Sequence, residues 1–447
     1  MGMYFGTDGI RGKAGEILTS DIAYRLGKIL GWQKKNENGS AKPVRVVIGK
    51  DTRKSSYMLE YSLVAGLTST GADAYLMHVT TTPSVAYVTK TEGFDYGIMI
   101  SASHNPYYDN GIKVFSNNGE KLNDTLIEEI EKYLKKEVAI PFATEISIGK
   151  AIDYSFGRNK YCGFLTSIVK EKLIGLKVVL DVANGSTYKI AKSIYELLGA
   201  EVSLIACDPN GVNINKNCGS TNIKNLQSEV IKQGADVGFA FDGDGDRCIA
   251  VGKNGKVYDG DAITYLIAKN LHSRGELTNK TVAVTVMSNL GLINALKKEG
   301  ISCEITSVGD RFVYEKMKEK NLSLGGENSG HVIISKYLNT GDGILTSLCV
   351  CDAILRNGEL GKQLKDLMLY PQITESVPVK DNKKIVKLDT VKKAVLQAEI
   401  IVNDGRMLVR ASGTEPVIRI TAEAKTMEEC ELAVSVVKKA ITSVNND

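Results

Sequence analysis

Short apolar runs recur along the chain between polar, glycine-marked joints, and most are followed by a longer stretch of helical periodicity. Residues 44–48 read as a strand, followed by a polar loop, a helical run near 55–70, then Gly71 and a second strand to Leu76. The same order returns at 176–180, with a loop at 181–187, a helix to Leu198 and a strand through 199–205. It returns again at 281–286, with a loop at 287–291, a helix to Lys298 and a strand through 300–305. Three strand–helix–strand units with glycine at the same joint predict an α/β protein with three similar α/β domains, their mixed sheets lying between helices.

The rhythm breaks after Tyr370-Pro371. A strand at 373–379, a helix near 389–397, two strands at 407–411 and 417–422 and a final helix predict a C-terminal α+β domain behind a proline linker. Thr426 and Glu429 form a capping box at the start of that last helix. Near the amino terminus a capped helix is expected at about 20–30. Linkers are expected near 138–149, where a helix at 125–136 ends, and near 252–260. The domain boundaries follow as 1–150, 151–255, 256–370 and 371–447.

Between the apolar segments Val237–Phe241 and 249–251 stands Asp242-Gly243-Asp244-Gly245-Asp246-Arg247. Three carboxylates alternating with glycine repel one another unless a cation sits among them. Period two turns them to one side in extended chain, and the glycines let the backbone curl them toward one point. An all-oxygen set without His or Cys favours a hard ion, Mg²⁺ before Ca²⁺ or Zn²⁺. A solvated acidic turn is the competing reading. An EF-hand loop counted from Asp242 would need Gly and Glu where Arg247 and Lys253 stand.

Three further stretches carry chemistry. The strand Tyr96–Ile100 delivers Ser101-Ala102-Ser103-His104-Asn105-Pro106, a serine beside a histidine at a strand end, and therefore either a nucleophile or a structural loop. It lacks the G-x-S-x-G elbow of serine esterases. Gly325-Gly326-Glu327-Asn328-Ser329-Gly330-His331 packs carboxylate, amide, hydroxyl and imidazole together, which suits a polyhydroxylated ligand or an ordinary turn. Arg410-Ala411-Ser412-Gly413-Thr414-Glu415-Pro416 with Arg419 makes a phosphate nest, or a hairpin with surface arginines. The opening glycine-rich turn with Thr7 and Arg11 suits an anion contact or a plain terminal loop.

Composition narrows the partners. The 447 residues carry 56 basic and 52 acidic side chains, a net charge of +4 without a long basic block, so nucleic acid is not an expected partner. Eight scattered cysteines read as reduced core residues of a cytosolic protein. With no apolar signal core and no long apolar span, neither export nor a membrane is expected, and the localisation read is cytoplasmic.

One acidic metal loop, one serine loop, one hydroxyl-reading loop and one phosphate nest fall one per domain. Phosphoryl transfer on a sugar phosphate accounts for all four. The chain resembles the α-D-phosphohexomutases over essentially its full length, through MYFGTDGIRG, SASHNPYYDNGIKVF, CGSTN, FDGDGDRC, GGENSGHV and RASGTEPVIRI in family order. The resemblance implies four domains arranged around a central cleft and an intramolecular phosphotransferase of the isomerase class. It makes Ser103 the phosphorylated serine, with His104 beside it. Asp242, Asp244, Asp246 and an oxygen of phosphorylated Ser103 become the Mg²⁺ ligands. Arg11, Lys113, Arg247 and His331 surround the transferring phosphoryl or move protons; Glu327, Asn328 and Ser329 meet the sugar hydroxyls. Arg410, Ser412, Gly413, Thr414 and Arg419 hold the phosphate that is not reacting. The resemblance further implies a phosphohexosamine substrate, glucosamine 6-phosphate exchanged with glucosamine 1-phosphate through a bisphosphate on the way to UDP-N-acetylglucosamine and cell-wall synthesis. It also implies a sugar bisphosphate as phosphorylating primer and a homodimer. Glucose or mannose phosphates are the alternative substrates, and a non-catalytic sugar-phosphate sensor is the remaining alternative.

Overall fold

Strands form where β-branched and aromatic residues run between glycine joints, and they assemble into four sheets. The computed structural model describes residues 4–6, 9–37, 43–135, 139–412 and 416–446. These fall into two compact units, Met1–Val286 with Cys303–Leu364, and Met287–Ser302 with Lys365–Asp447.

The first unit holds three sheets. The first runs in the order Phe5–Gly6, Gly9–Lys13, Asp109–Ser116, Tyr96–Ile100, Arg45–Lys50, Asp73–Val79, Ala151–Asp153. It is mixed: Arg45–Lys50 pairs in parallel with both Tyr96–Ile100 and Asp73–Val79, whereas Asp109–Ser116 runs antiparallel to Tyr96–Ile100. The second has the order Val257–Tyr258, Cys248–Gly252, Val237–Phe241, Lys177–Asp181, Glu201–Ile205, and the third Ser302–Thr306, Thr281–Thr285, Leu324–Gly326, Val332–Ile334. Loops at the carboxyl ends of parallel strands are where such sheets carry their ligands. Here the parallel neighbours Arg45–Lys50 and Tyr96–Ile100 end together, with Lys50 opposite Ile100. Asp51 and Ser101 therefore emerge side by side.

The second unit is built on an antiparallel sheet, Gln372–Pro378, Val417–Glu423, Arg406–Ala411. The helices Asp389–Val402 and Met427–Asn446 share its apolar core, and Thr426 and Glu429 cap the latter reciprocally as the sequence suggests. It also takes in the helix Leu290–Lys298, which sequence assigns to the third repeat. Asn289 exchanges two 2.9 Å hydrogen bonds with the Tyr370 backbone, and a Cβ on Gly291 would stand 2.0 Å from Met368 O, so this segment is pressed onto 365–371.

Several expectations need correction. The strand Ala151–Asp153 pairs with Asp73–Val79, so the first sheet extends past the boundary placed at residue 150. The linker expected at 252–260 is a hairpin: Val257–Tyr258 folds back on Cys248–Gly252 and the helix Gly260–Ser273 starts at once, capped by Asp259. The first helix, Ser20–Glu37, runs well beyond residue 30 because nothing in 31–37 breaks it. All eight cysteines are free thiols, but Cys207 is exposed rather than in a core. No helix among the described residues is long and apolar enough to cross a membrane.

Glycine brings Ser20–Glu37 and Lys54–Thr68 together. A Cβ at Gly66 would lie 2.0 Å from Tyr24 O, and one at Gly27 would lie 2.3 Å from Leu63 O. The helix Lys54–Thr68 follows directly on Asp51-Thr52-Arg53, so its seating fixes residues that support the serine loop. Gly66→Ala gains about 1 kcal/mol of helix propensity, but the clash is with backbone, and overpacking of about 1–3 kcal/mol outweighs it. The thermal unfolding midpoint of Gly66→Ala is expected to fall; an unchanged or higher midpoint would contradict this packing.

Candidate active site

Ser103 sits at the end of a fully buried strand with a φ of 53°, in the left-handed region that costs a non-glycine residue about 1–2 kcal/mol. Its surroundings hold it there. Ser101 Oγ accepts a 2.9 Å hydrogen bond from Ser103 N and donates to Asp51 Oδ2 at 2.6 Å. Ser101 thus supports the loop, and Ser103 points elsewhere. Its hydroxyl donates to Asp242 Oδ2, and His104 Nδ1 lies 3.4 Å from Ser103 Oγ.

Asp242, Asp244 and Asp246 leave the strand Val237–Phe241 into the space beside Ser103. They are 0%, 0% and 5% exposed, and one carboxylate oxygen from each lies within 4.8 Å of the others. Burial, then Asp246 and Asp244, drives the Asp242 carboxyl well above the usual carboxylate range. Burial also works to raise Asp246, but Lys113 with His331 and Arg247 overcomes it and holds that carboxyl well below. Thr82 donates its hydroxyl to Asp244 Oδ2 and its amide to Asp244 O at 2.9 Å, tying the acidic loop to the first domain. Asp244 Oδ1 and Asp246 Oδ1 are buried without a hydrogen-bond partner. Orphaned acceptors of this kind cost about 1–3 kcal/mol each, more when charged, and hard cations bind such all-oxygen sets. The residues fit a metal ion.

Cationic groups ring the acids. Lys113 is buried, with Nζ 2.8 Å from Asp244 Oδ2 and 3.0 Å from Asp246 Oδ2. Arg247 Nε lies 4.0 Å from Asp246 Oδ1, and its amide donates to Asp242 Oδ1 at 3.2 Å. His331 Nδ1 is 3.8 Å from Asp246 Oδ1, and Nε2 is 3.6 Å from Asp310 Oδ2. Burial opposes a charged His331, yet Asp246 and Asp310 push it up to about 9. The Gly341 amide, donating to Nε2 at 3.1 Å, pulls toward the neutral ring, and either state keeps a proton on Nδ1. His104 is opposite in character: burial, then Arg247 and Arg11, lowers it to about 4, so it is neutral near pH 7. Arg11 lies across from Gly111, where a Cβ would meet Arg11 Cγ at 3.1 Å and Ser101 O at 2.5 Å.

The third domain meets the acidic loop through backbone. Arg247 and His331 form an isolated antiparallel bridge, and Cys248 N donates to Gly330 O at 3.0 Å. Glu327 is buried in this turn with Oε1 accepting from Gly309 N at 2.9 Å; burial raises its carboxyl above the usual value. Asn328 and Ser329 are half-buried on the same turn. The first unit thus gathers Arg11, Ser103, His104, Lys113, the three aspartates, Arg247, Glu327 and His331.

In the second unit Arg410 and Arg419 stand directly opposite each other on antiparallel strands. Like charges so paired destabilise a sheet unless an anion intervenes. Burial, then Arg419, lowers Arg410 from its ordinary value. Ser412 N closes the turn on Val417 O at 2.9 Å, and Asn382 Nδ2 donates to Ser412 O at 2.8 Å and Val417 O at 3.2 Å. Gly413 and Thr414, like Thr7 in the amino-terminal turn, lie outside the described residues.

Sequence reasoning missed Asp51, Arg53, Thr82, Asn215 and Asn382. Asp51-Thr52-Arg53 at the end of a buried strand was a local signal. Thr82 and Asn215 give none, because their partners lie 162 and 112 residues away.

Comparison with known proteins follows the same plan. The pattern of Phosphoglucomutase/phosphomannomutase, alpha/beta/alpha domain I matches residues 2–140, that of domain II residues 159–255, domain III residues 259–372 and the C-terminal domain residues 376–438. A phosphoglucosamine mutase of Lachnospira eligens is 51% identical over 448 residues, 99% of each chain. One of Lachnoclostridium phytofermentans is 51% identical over 434 residues, 96% of each chain. The crystal structure of a phosphoglucomutase/phosphomannomutase family protein from Burkholderia thailandensis superposes with a TM-score of 0.81 at 24% identity, covering 97% of this chain and 96% of that one.

A cation that fills the aspartate cluster stabilises the folded state by mass action, about 2.7 kcal/mol at a hundredfold excess over the dissociation constant. Adding a divalent cation is expected to raise the unfolding midpoint of the wild type, and in Asp244→Asn most of that rise is lost. Equal rises in both would contradict the site.

Proposed function

We propose that this chain, which belongs to the phosphoglucomutase/phosphomannomutase family, acts as a phosphoglucosamine mutase, interconverting glucosamine 6-phosphate and glucosamine 1-phosphate. The observation that carries the reading is the buried hydrogen bond from Ser103 to Asp242, inside a carboxylate cluster suited to a cation. The choice of sugar is supported by full-length relatives of that activity at 51% identity.

In this reading Ser103 carries the phosphoryl group, first supplied by a sugar bisphosphate primer. Mg²⁺ held by Asp242, Asp244, Asp246 and an oxygen of phosphorylated Ser103 would offset charge on the transferring group. The O1 hydroxyl of the 6-phosphosugar attacks phosphorus, the bond to Ser103 Oγ breaks, and the proton of O1 passes to a nearby base as Oγ regains one. The resulting bisphosphate turns over, and its C6 phosphoryl returns to Ser103. Arg247, Arg11 and Lys113 present cationic groups to the phosphoryl, and His331 and Lys113 are the proton carriers, with neutral His104 beside Ser103 Oγ. Preorganised charge of this kind supplies most of the power of phosphoryl transfer. Glu327, Asn328 and Ser329 orient the sugar hydroxyls. Arg410, Ser412, Gly413, Thr414 and Arg419 bind the second phosphate. The reading carries with it four domains with boundaries near residues 150, 255 and 370, a cytoplasmic setting and, by family resemblance, a homodimer.

Turnover of glucosamine 6-phosphate, glucose 6-phosphate and mannose 6-phosphate, compared with Mg²⁺ and primer present, tests the substrate. The amino sugar is expected to lead in kcat/KM by roughly tenfold or more, because a wrong substituent leaves a site polar group unsatisfied at about 1–3 kcal/mol. Equal or better use of the glucose or mannose phosphate would overturn the assignment. Arg410→Ala removes one charge-assisted contact and is expected to raise KM roughly 10- to 150-fold, about 1.5–3 kcal/mol. An unchanged KM would make that turn structural.

A further inference from the structure

We infer that Arg53 and Asn215 are positioning residues for the nucleophilic serine, gripping the Ser103 loop from two different domains so that Oγ faces Asp242. The inference rests on the phosphoserine reading above and concerns side chains which that reading leaves without a role. Arg53 is 0% exposed, and its guanidinium hydrogens all have acceptors. Nε donates to Asp51 Oδ2 at 2.7 Å. One terminal nitrogen donates to Ser103 O and Asn105 O, both at 2.9 Å, and the other to Pro106 O and to Asp109 O at 3.1 Å. A single planar cation therefore defines the path of the whole serine loop.

Asn215 reaches the same loop from the second domain. Its Nδ2 donates to Ser103 O at 2.9 Å and Asn105 O at 3.1 Å, so both carbonyls accept from the guanidinium and from the amide together. Its own backbone is anchored by a 2.9 Å hydrogen bond to Ala183 O. Below the loop, Asp51 accepts from Arg53 N at 2.9 Å, Ser56 Oγ at 2.9 Å and Ser101 Oγ at 2.6 Å, which completes the support of Ser103 N through Ser101. Backbone in a left-handed conformation persists only when surrounding structure over-determines it. Here the Ser103 amide and carbonyl are both fixed, which sets the Cα–Cβ direction, and the hydrogen bond to Asp242 selects among the rotamers of Oγ. Arg53 and Asn215 reach only loop backbone and Asp51, so their loss misdirects the nucleophile without removing a sugar contact.

The variants are Arg53→Lys, which keeps charge but not the fork, and Asn215→Gly, which keeps the left-handed backbone at 215 (φ 58°) and removes only the half-buried amide. Each is compared with wild type in phosphoryl uptake by Ser103 from a hexose 1,6-bisphosphate, in kcat and KM for glucosamine 6-phosphate, and in unfolding midpoint. Misplacing a reacting group by about 1 Å costs up to about a hundredfold. Expected are a slowing of uptake and of kcat by about tenfold to a hundredfold, with KM within about threefold of wild type. If Arg53→Lys fails to fold, Asn215→Gly alone decides. Wild-type kcat in a folded Asn215→Gly, or a KM that rises as far as kcat falls, would overturn the inference. A wild type that takes up no phosphoryl would instead overturn the phosphoserine reading, and the inference with it.

Discussion

Three carboxylates and a serine hydroxyl share a space from which water is excluded, and the first unit is arranged to make that tolerable. Asp242 and Asp244 are fully buried, Asp246 is 5% exposed and Ser103 is 1% exposed. Uncompensated charges at such depth are costly. The compensation is graded. Lys113 bridges Asp244 and Asp246, and that support holds the Asp246 carboxyl low, whereas burial and the two neighbouring aspartates drive Asp242 high against the pull of Arg247 and the serine hydroxyl. The cluster is thus poised unevenly, with Asp244 Oδ1 and Asp246 Oδ1 left without a hydrogen-bond partner. Such an all-oxygen set suits a hard cation.

No single domain builds this centre. Its serine comes from the end of a strand in the first sheet and its acids from the end of a strand in the second. Its histidine comes from a turn that the third sheet closes. Backbone contacts help set them in register: the Arg247–His331 bridge, Cys248 N on Gly330 O, and Thr82 N on Asp244 O. Side chains cross as well: Lys113 reaches Asp244 and Asp246 from the first domain, and Thr82 and Asn215 are short. Short side chains lose little rotamer entropy on ordering, so they hold position tightly.

The acidic loop was readable because its information is local: the strand before it, Val237–Phe241, has the bounds the apolar run gives, and period-two acids stand out against their apolar flanks. The serine strand Tyr96–Ile100 was equally plain. The residues alone do not separate Ser101 from Ser103, a choice that came from the family resemblance; what distinguishes them in the fold is what lies opposite, Asp51 for one and Asp242 for the other. The same limit hid Asn215, whose acceptors are carbonyls distant in sequence. The limits of some segments shifted where tertiary pairing overrode composition. The polar segment at 252–260 folds back as an edge hairpin, Ala151–Asp153 adds a strand beyond residue 150, and Leu290–Lys298 packs with the C-terminal unit because Gly291 permits a close backbone approach.

The claim on which the whole account turns is that Ser103 is the residue that carries the phosphoryl group. Peptide mapping by mass spectrometry of the bisphosphate-treated protein, before and after a chase with glucosamine 6-phosphate, tests it most directly. The account predicts phosphate on the peptide containing Ser103, localised to that serine and lost to the sugar on chase. Phosphate on Ser101 instead, or full turnover by Ser103→Ala, would contradict it.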